Sequence, residues 1–282
     1  MPWGNRVLKQ RIITAIVLAA LLLGALFSLS AQGFALAIAL VVVIASWEWA
    51  NLAGFTAQWQ RLLYAGIMAL AVAASAGLTG FIETGQLHQD NTRTILLAGC
   101  TWWAVALLWV QGYPASSVLW GHLLLKALMG FLVLVPAWLA MVYLRAQNYG
   151  EWLILLVVLI VAAADIGAYF SGKAFGRHKL APDVSPGKSW EGFWGGFASC
   201  LLLALIVGYG FGGGWITLLL IAPAALASVL GDLLESMVKR QRGIKDSSQL
   251  LPGHGGVLDR VDSITAAAPF FALAVLLSGW KF

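Results

Sequence analysis

Nine long apolar runs, separated by more polar segments, fix what this chain can fold into. They lie at roughly 12–29, 33–51, 62–82, 95–111, 121–144, 151–170, 193–211, 215–233 and 264–280. About 20 apolar residues in an α-helix cross the hydrocarbon core of a bilayer, where each backbone N–H and C=O must be satisfied inside its own helix. Of the 282 residues, 61% are hydrophobic and 10% are charged, against about 25% charged in a soluble domain. Too little polar surface exists to cover a water-soluble globule. The reading is all-α: a polytopic integral membrane protein with about nine transmembrane helices. The 14 Trp residues agree, since Trp favours the membrane–water interface.

The first run looks like a signal peptide, with Arg6, Lys9 and Arg11 before it and Ser28-Leu29-Ser30-Ala31 after it. It is long for one, and further spans follow, so it reads as an uncleaved first helix. Basic residues then set the orientation. With the N-terminus inside, 13 Lys and Arg fall in inner segments and 3 (Arg93, Arg145, Lys281) in outer ones, with Lys126 near the inner end of the fifth span. This puts two long polar loops on the cytoplasmic face. The net charge of +5 is then topology, not nucleic-acid binding. Cys100 and Cys200 sit in apolar runs without C-x-x-C spacing, which points to neither zinc nor a disulfide.

Polar residues are unevenly distributed. Eight of the 12 acids lie between 165 and 262. Residues 1–150 therefore read as a transmembrane scaffold and 151–282 as the catalytic part. No linker separates soluble domains, and the glycine-rich stretch 208–214 reads as a connector at an outer turn.

Asp165 follows ten apolar residues inside a span, where a carboxylate needs a polar partner or cavity. Tyr169, four residues on, shares its helical face. The loop after it carries Lys173, Arg177, His178 and Lys179, then Ser185-Pro186-Gly187-Lys188-Ser189-Trp190-Glu191. Gly-Lys-Ser resembles the end of a phosphate loop, but Pro182 stands where that motif needs a Gly. What remains is a glycine-punctuated basic loop suited to an anion, although topology alone also demands basic inner loops. Asp232 and Glu235 share an i, i+3 spacing, and so do Asp259 and Asp262. Each pair projects onto one helix face, where carboxylates from adjacent helix ends can converge on Mg²⁺. Lys239, Arg240, Lys245 and Arg260 intersperse them. A nucleoside triphosphate with Mg²⁺ needs that mixture, with acids for the metal and bases for the phosphate oxygens. His254, within Pro252-Gly253-His254-Gly255-Gly256, reads first as a satisfied turn histidine. His88, His122 and His178 show no metal-ligand spacing.

The run Ser236-x-x-Lys239-Arg240-x(4)-Lys245-Asp246-x(4)-Leu251-x-Gly253-His254-Gly255-Gly256-x-x-Asp259-Arg260-x-Asp262 resembles the signature of the bacterial phosphatidate cytidylyltransferases. The likeness extends to Gly231-Asp232-x-x-Glu235-Ser236, to Asp165-x-x-Ala168-Tyr169-x-x-Gly172-Lys173 and to the Ser185–Gly192 motif. Trp47-Glu48-Trp49 is a local match in the N-terminal half. Ser189 stands where the family often has Thr. The resemblance implies transfer of CMP from CTP to phosphatidate, giving CDP-diacylglycerol and pyrophosphate. It implies Mg²⁺, with K⁺ as a second ion, and carries the metal ligands over to Asp232 and Asp259. It implies no protein nucleophile. Catalytic roles are expected for Asp232, Asp259, Lys239, Arg240, Lys245, Asp246, Arg260 and Asp262. Substrate binding is expected of Asp165, Tyr169, Lys173, Ser185, Lys188, Ser189, Glu191, Glu235, Ser236, His254, Gly255 and Gly256. The expected partners are CTP, phosphatidate and the lipid bilayer of a bacterial inner membrane, with a homodimer as the candidate assembly and no nucleic acid. Two other readings use the same residues. One is a CTP-using polyprenol or dolichol kinase. The other is a secondary transporter, against which the acids sit at the inner surface and not at the midplane.

Overall fold

The computed structural model describes residues 3–210 and 212–280, with backbone only at 3–9, 11 and 84. The side chains of Arg6, Lys9 and Arg11, together with Phe211 and Lys281, therefore lie outside the described residues. The elements run α1 (Trp3–Ser28), α2 (Ala31–Ala53), α3 (Gln58–Leu78), α4 (Phe81–Thr84), α5 (Gln89–Gln111), α6 (Ser117–Trp120), α7 (Leu123–Arg145) and α8 (Gly150–Phe175). A hairpin follows, of β1 (Lys179–Ala181) and β2 (Ser185–Ser189), then α9 (Trp190–Gly210), α10 (Ile216–Arg242) and α11 (Leu258–Ser278).

The fold is all-α apart from the short antiparallel hairpin, which hydropathy gave no reason to expect. Among the described residues, α2, α3, α5, α7, α8, α9, α10 and α11 are long and apolar enough to cross a membrane, which makes eight. The first of the nine expected runs yields a shorter apolar piece, Ile12–Ser28.

Helix α7 is the central post. It packs against α2, α11, α5, α3 and α8, and Trp138 and Leu139 are buried along it. Buried indoles still need acceptors: Trp138 Nε1 donates to the Ala35 carbonyl at 3.0 Å and Trp49 Nε1 to the Lys126 carbonyl at 2.8 Å, both tying α2 to α7. Helices α8 and α9 pack against each other extensively. A Cβ on Gly196 would stand 2.5 Å from the Ala164 carbonyl oxygen, so glycine is what lets the backbones meet.

Three polar segments extend helices beyond their apolar runs. Helix α8 continues to Phe175, so Lys173 lies on helix and not in loop; α10 continues to Arg242, nine residues past the run that ends at 233; α11 begins at Leu258, before 264. Hydropathy marks where lipid-compatible side chains stop, whereas backbone hydrogen bonding continues until something breaks it. For α10 the breaker is Gly243 at φ +77°, whose N–H and that of Ile244 close the last carbonyls.

Candidate active site

The extension of α10 builds the site. Asp232, Glu235, Ser236 and Lys239 fall at i, i+3, i+4 and i+7, one stripe of one helix. The start of α11 lies alongside it and brings Asp259 and Asp262. The hairpin and the start of α9 bring Lys188 from a third direction. Acids and bases alternate across the junction. Lys188 Nζ meets Asp232 Oδ2 at 2.6 Å, Lys239 Nζ meets Asp259 Oδ1 at 2.7 Å, and the same ammonium stands 3.5 Å from Glu235 Oε1. Ser236 Oγ donates to Asp232 Oδ1 at 3.1 Å.

The two ends of this ladder differ in exposure. The Asp232 and Lys188 side chains are 31% and 27% exposed, those of Asp259 and Lys239 only 5% and 10%. Asp259 is also held by the backbone N–H and hydroxyl of Ser247, each at 3.0 Å from Oδ2, and by the Gly256 N–H at 2.7 Å. Glu235 is the least satisfied group. Both its oxygens are buried without a hydrogen-bond donor among the described residues, and Asp262 lies against it. A buried carboxyl supported by so few donors is relieved either by taking up a proton or by further positive charge brought beside it.

Asp165 stands within electrostatic reach of Lys188 and Asp232 and so joins the edge of the cluster. Lys245, Asp246, His254, Gly255 and Arg260 lie on the far side of the loop, where they line a polar cavity of about 650 Å³. Arg260 donates through Nε and Nη2 to the His254 carbonyl, and His254 Nδ1 is buried without a partner among the described residues. Arg240 is exposed and donates to the Val184 carbonyl at 3.2 Å, which ties α10 to the hairpin. On the side of α10 toward α5 and α9, an apolar cavity of about 640 Å³ is lined by Leu230, Leu233, Trp190, Phe193, Trp103 and Leu107.

Several expected residues are engaged with the protein itself. Ser189 Oγ accepts from the Gly192 N–H and caps α9. Glu191 accepts from the N–H groups of Arg177 and His178 and meets His178 Nδ1 at 2.7 Å, fixing the turn before the hairpin. Ser185 pairs with Ala181 in the hairpin. Tyr169 is exposed, with the Lys173 ammonium 5.8 Å from its ring centroid. Sequence reasoning gave no role to Ser247. It is a common polar residue, and only the fold shows that it donates twice to Asp259.

No three or more His, Cys, Asp or Glu side chains form a ready-made metal cage among the described residues. The donor set still suits a hard cation of the magnesium type. Such an ion commonly takes one or two carboxylates and completes its shell with water and substrate phosphates.

Comparison with known proteins agrees with the chemistry of the cluster. The family model described as "Cytidylyltransferase family" matches residues 9–278. The chain is 48% identical to a phosphatidate cytidylyltransferase of Pseudomonas aeruginosa, over 97% of this chain and 98% of that one. It is 44% identical to one of Haemophilus influenzae, over 94% and 97%. It is 36% identical to one of Brucella suis, over 94% and 92%.

Proposed function

The chain belongs to the cytidylyltransferase family, and from that premise we infer that it transfers CMP from CTP to phosphatidate, giving CDP-diacylglycerol and pyrophosphate for phospholipid synthesis. The observation that carries the reading is the ladder of Lys188, Asp232, Glu235, Lys239 and Asp259, which gathers one mixed acid–base cluster at the ends of apolar helices. The lipid phosphate is already an anion. One of its oxygens bonds to the α-phosphorus of CTP while the bond from that phosphorus to the bridging oxygen breaks, and pyrophosphate leaves with the electron pair. No Ser–His or Cys–His nucleophile is needed; the protein supplies position and positive charge.

Lys239 and Arg240 hold phosphate oxygens on the α10 side, and Lys245 and Arg260 hold them from the polar cavity. Asp246 shares that cavity with them. Lys188 and Asp165 face the junction from the hairpin side, with Lys173 beyond them. The apolar cavity beside Leu233 offers room for acyl chains next to Asp232. Mg²⁺ is the proposed cofactor, with Asp232 and Asp259 as its protein ligands, Glu235 and Asp262 in support and K⁺ as a second ion; bound there it would neutralise charge on the triphosphate. Support comes from the cations these acids already hold, since each aspartate has an ammonium against it.

The same reading assigns the protein to a bacterial inner membrane with the site facing the cytoplasm, supported by the 13-to-3 excess of basic residues. It takes a homodimer as the assembly, to be checked by cross-linking in native membranes.

The test is product formation by purified protein in detergent–phosphatidate micelles with labelled CTP. The expected result is a lipid-soluble cytidine product and pyrophosphate with Mg²⁺, none with EDTA, and recovery when Mg²⁺ is restored. No product where a known phosphatidate cytidylyltransferase works, or γ-phosphate transfer to a polyprenol, would overturn the reading.

A further inference from the structure

Glu48 lies on α2, in the half of the chain farthest from the signature run, and is completely buried. A lone carboxylate inside a membrane protein is costly unless its oxygens are satisfied. Here both are, and all four donors come from one place about 200 residues away. Oε1 accepts from Ser248 Oγ at 2.5 Å and the Val257 N–H at 3.0 Å. Oε2 accepts from Ser247 Oγ at 3.3 Å and the Leu258 N–H at 2.6 Å. Val257 and Leu258 open α11, where N–H groups have no intrahelical acceptor and the helix dipole favours a negative charge. Glu48 thus caps, from another helix, the first turn of the helix that carries Asp259.

The clamp is coupled to Asp259 through Ser247. That hydroxyl stands 3.3 Å from Glu48 Oε2 and 3.0 Å from Asp259 Oδ2, so the two carboxylates share its single proton. The space between them is reserved as well, because a Cβ on Gly256 would collide with Ser247 Oγ and stand 2.6 Å from Glu48 Oε1. Asn51, one turn further along α2, donates to the Ser247 carbonyl at 3.2 Å. We propose that Glu48 is a positioning residue for the reaction: it fixes the loop from Ser247 to Leu258 so that Asp259 faces the junction with its carboxylate oriented. The proposal rests on the reading of Asp259 as a ligand given above, but its geometry is independent of turnover.

Glu48→Gln is the decisive variant. An amide has one acceptor oxygen and turns an NH₂ group toward donors. At least one backbone N–H of Val257 or Leu258 then loses its partner. In metal-free protein, hydrogen exchange at the amides of Ser247, Gly256, Val257 and Leu258 is expected to quicken about tenfold, the scale of one lost hydrogen bond to a charged acceptor. Amides of α8 and α9 are expected to stay as in the parent. The Mg²⁺ concentration for half-maximal CDP-diacylglycerol formation should rise severalfold, and adding Ser247→Ala to Glu48→Gln should cost much less than the product of the two single losses. Ser248→Ala removes one donor to Glu48 and none to Asp259. It is the milder variant if Glu48→Gln does not accumulate, and a smaller shift in the same direction is expected from it. Unchanged exchange at the four amides, or faster exchange throughout the molecule, would overturn the clamp. If the parent protein makes no CDP-diacylglycerol, the function proposed above fails and the exchange result alone decides this one.

Discussion

At the scale of the residue, the two proposed metal ligands differ in what surrounds them. Asp232 shares a partly exposed ion pair with Lys188, and such pairs contribute about 0–1 kcal/mol. Asp259 is buried, and its loss leaves the Lys239 ammonium with Glu235, at 3.5 Å, as its ion-pair partner among the described residues and leaves the donors from Ser247 and Gly256 unmatched. Breaking a buried pair from one side costs about 3–5 kcal/mol, and Asn recovers part of that through its one oxygen. Asp232→Asn and Asp259→Asn are both expected to lower turnover by about a hundredfold or more, the scale of removing one electrostatic element from a polar site. Only Asp259→Asn should also lower the thermal unfolding midpoint in detergent by several degrees. Equal stability of the two variants would contradict the asymmetry. The charged residues themselves were legible in the sequence, because in a chain with 10% charge every acid and base must be accounted for. The roles of Ser247 and Glu48 were not. Serine is unremarkable in composition, and a contact across about 200 residues has no periodicity.

At the scale of the element, the site depends on how closely two helices approach. Asp165 is on α8, and α9 begins just after Lys188 and Ser189, so the α8–α9 contact sets how these groups face Asp232. Apolar runs located both helices but gave nothing of their spacing. That is written in small residues that any transmembrane segment carries. The ends of elements were equally hidden, since the polar turns of α8, α10 and α11 look like loop when judged by hydropathy. The spacing itself is testable. In Gly196→Ala the new methyl group stands 2.5 Å from the Ala164 carbonyl oxygen, backbone that cannot swing aside. The expected cost is about 1–3 kcal/mol of stability, typical of overpacking. Turnover should fall with it as the hairpin is displaced. Gly66→Ala in α3, with nothing within 4 Å of the added atom, is the control, and neither stability nor turnover should fall. Indistinguishable unfolding of the two variants would mean that α8 and α9 do not rely on backbone contact.

At the scale of the whole molecule, the chemistry requires one orientation. CTP is a cytoplasmic solute, so on the proposed reading the loop from Gly243 to Val257 is expected to face the cytoplasm and the α7–α8 turn the opposite side. Helix α8 has 26 residues and is about 39 Å long at 1.5 Å per residue, so its two ends lie on opposite sides of a bilayer. Arg145 and Glu151 pair at 2.9 Å across that turn, and Asn148 between them is exposed. Gln249 is exposed at the other end, beside the polar cavity. With Cys100 and Cys200 replaced by Ala, a membrane-impermeant thiol reagent added to spheroplasts should label Asn148→Cys directly. It should label Gln249→Cys only after the membrane is permeabilised. CTP should protect the latter, since the nucleotide is proposed to lie against that loop. The reverse pattern would put the acid–base ladder on the face without CTP, and the inside-positive count of basic residues would then describe something other than the topology of this chain.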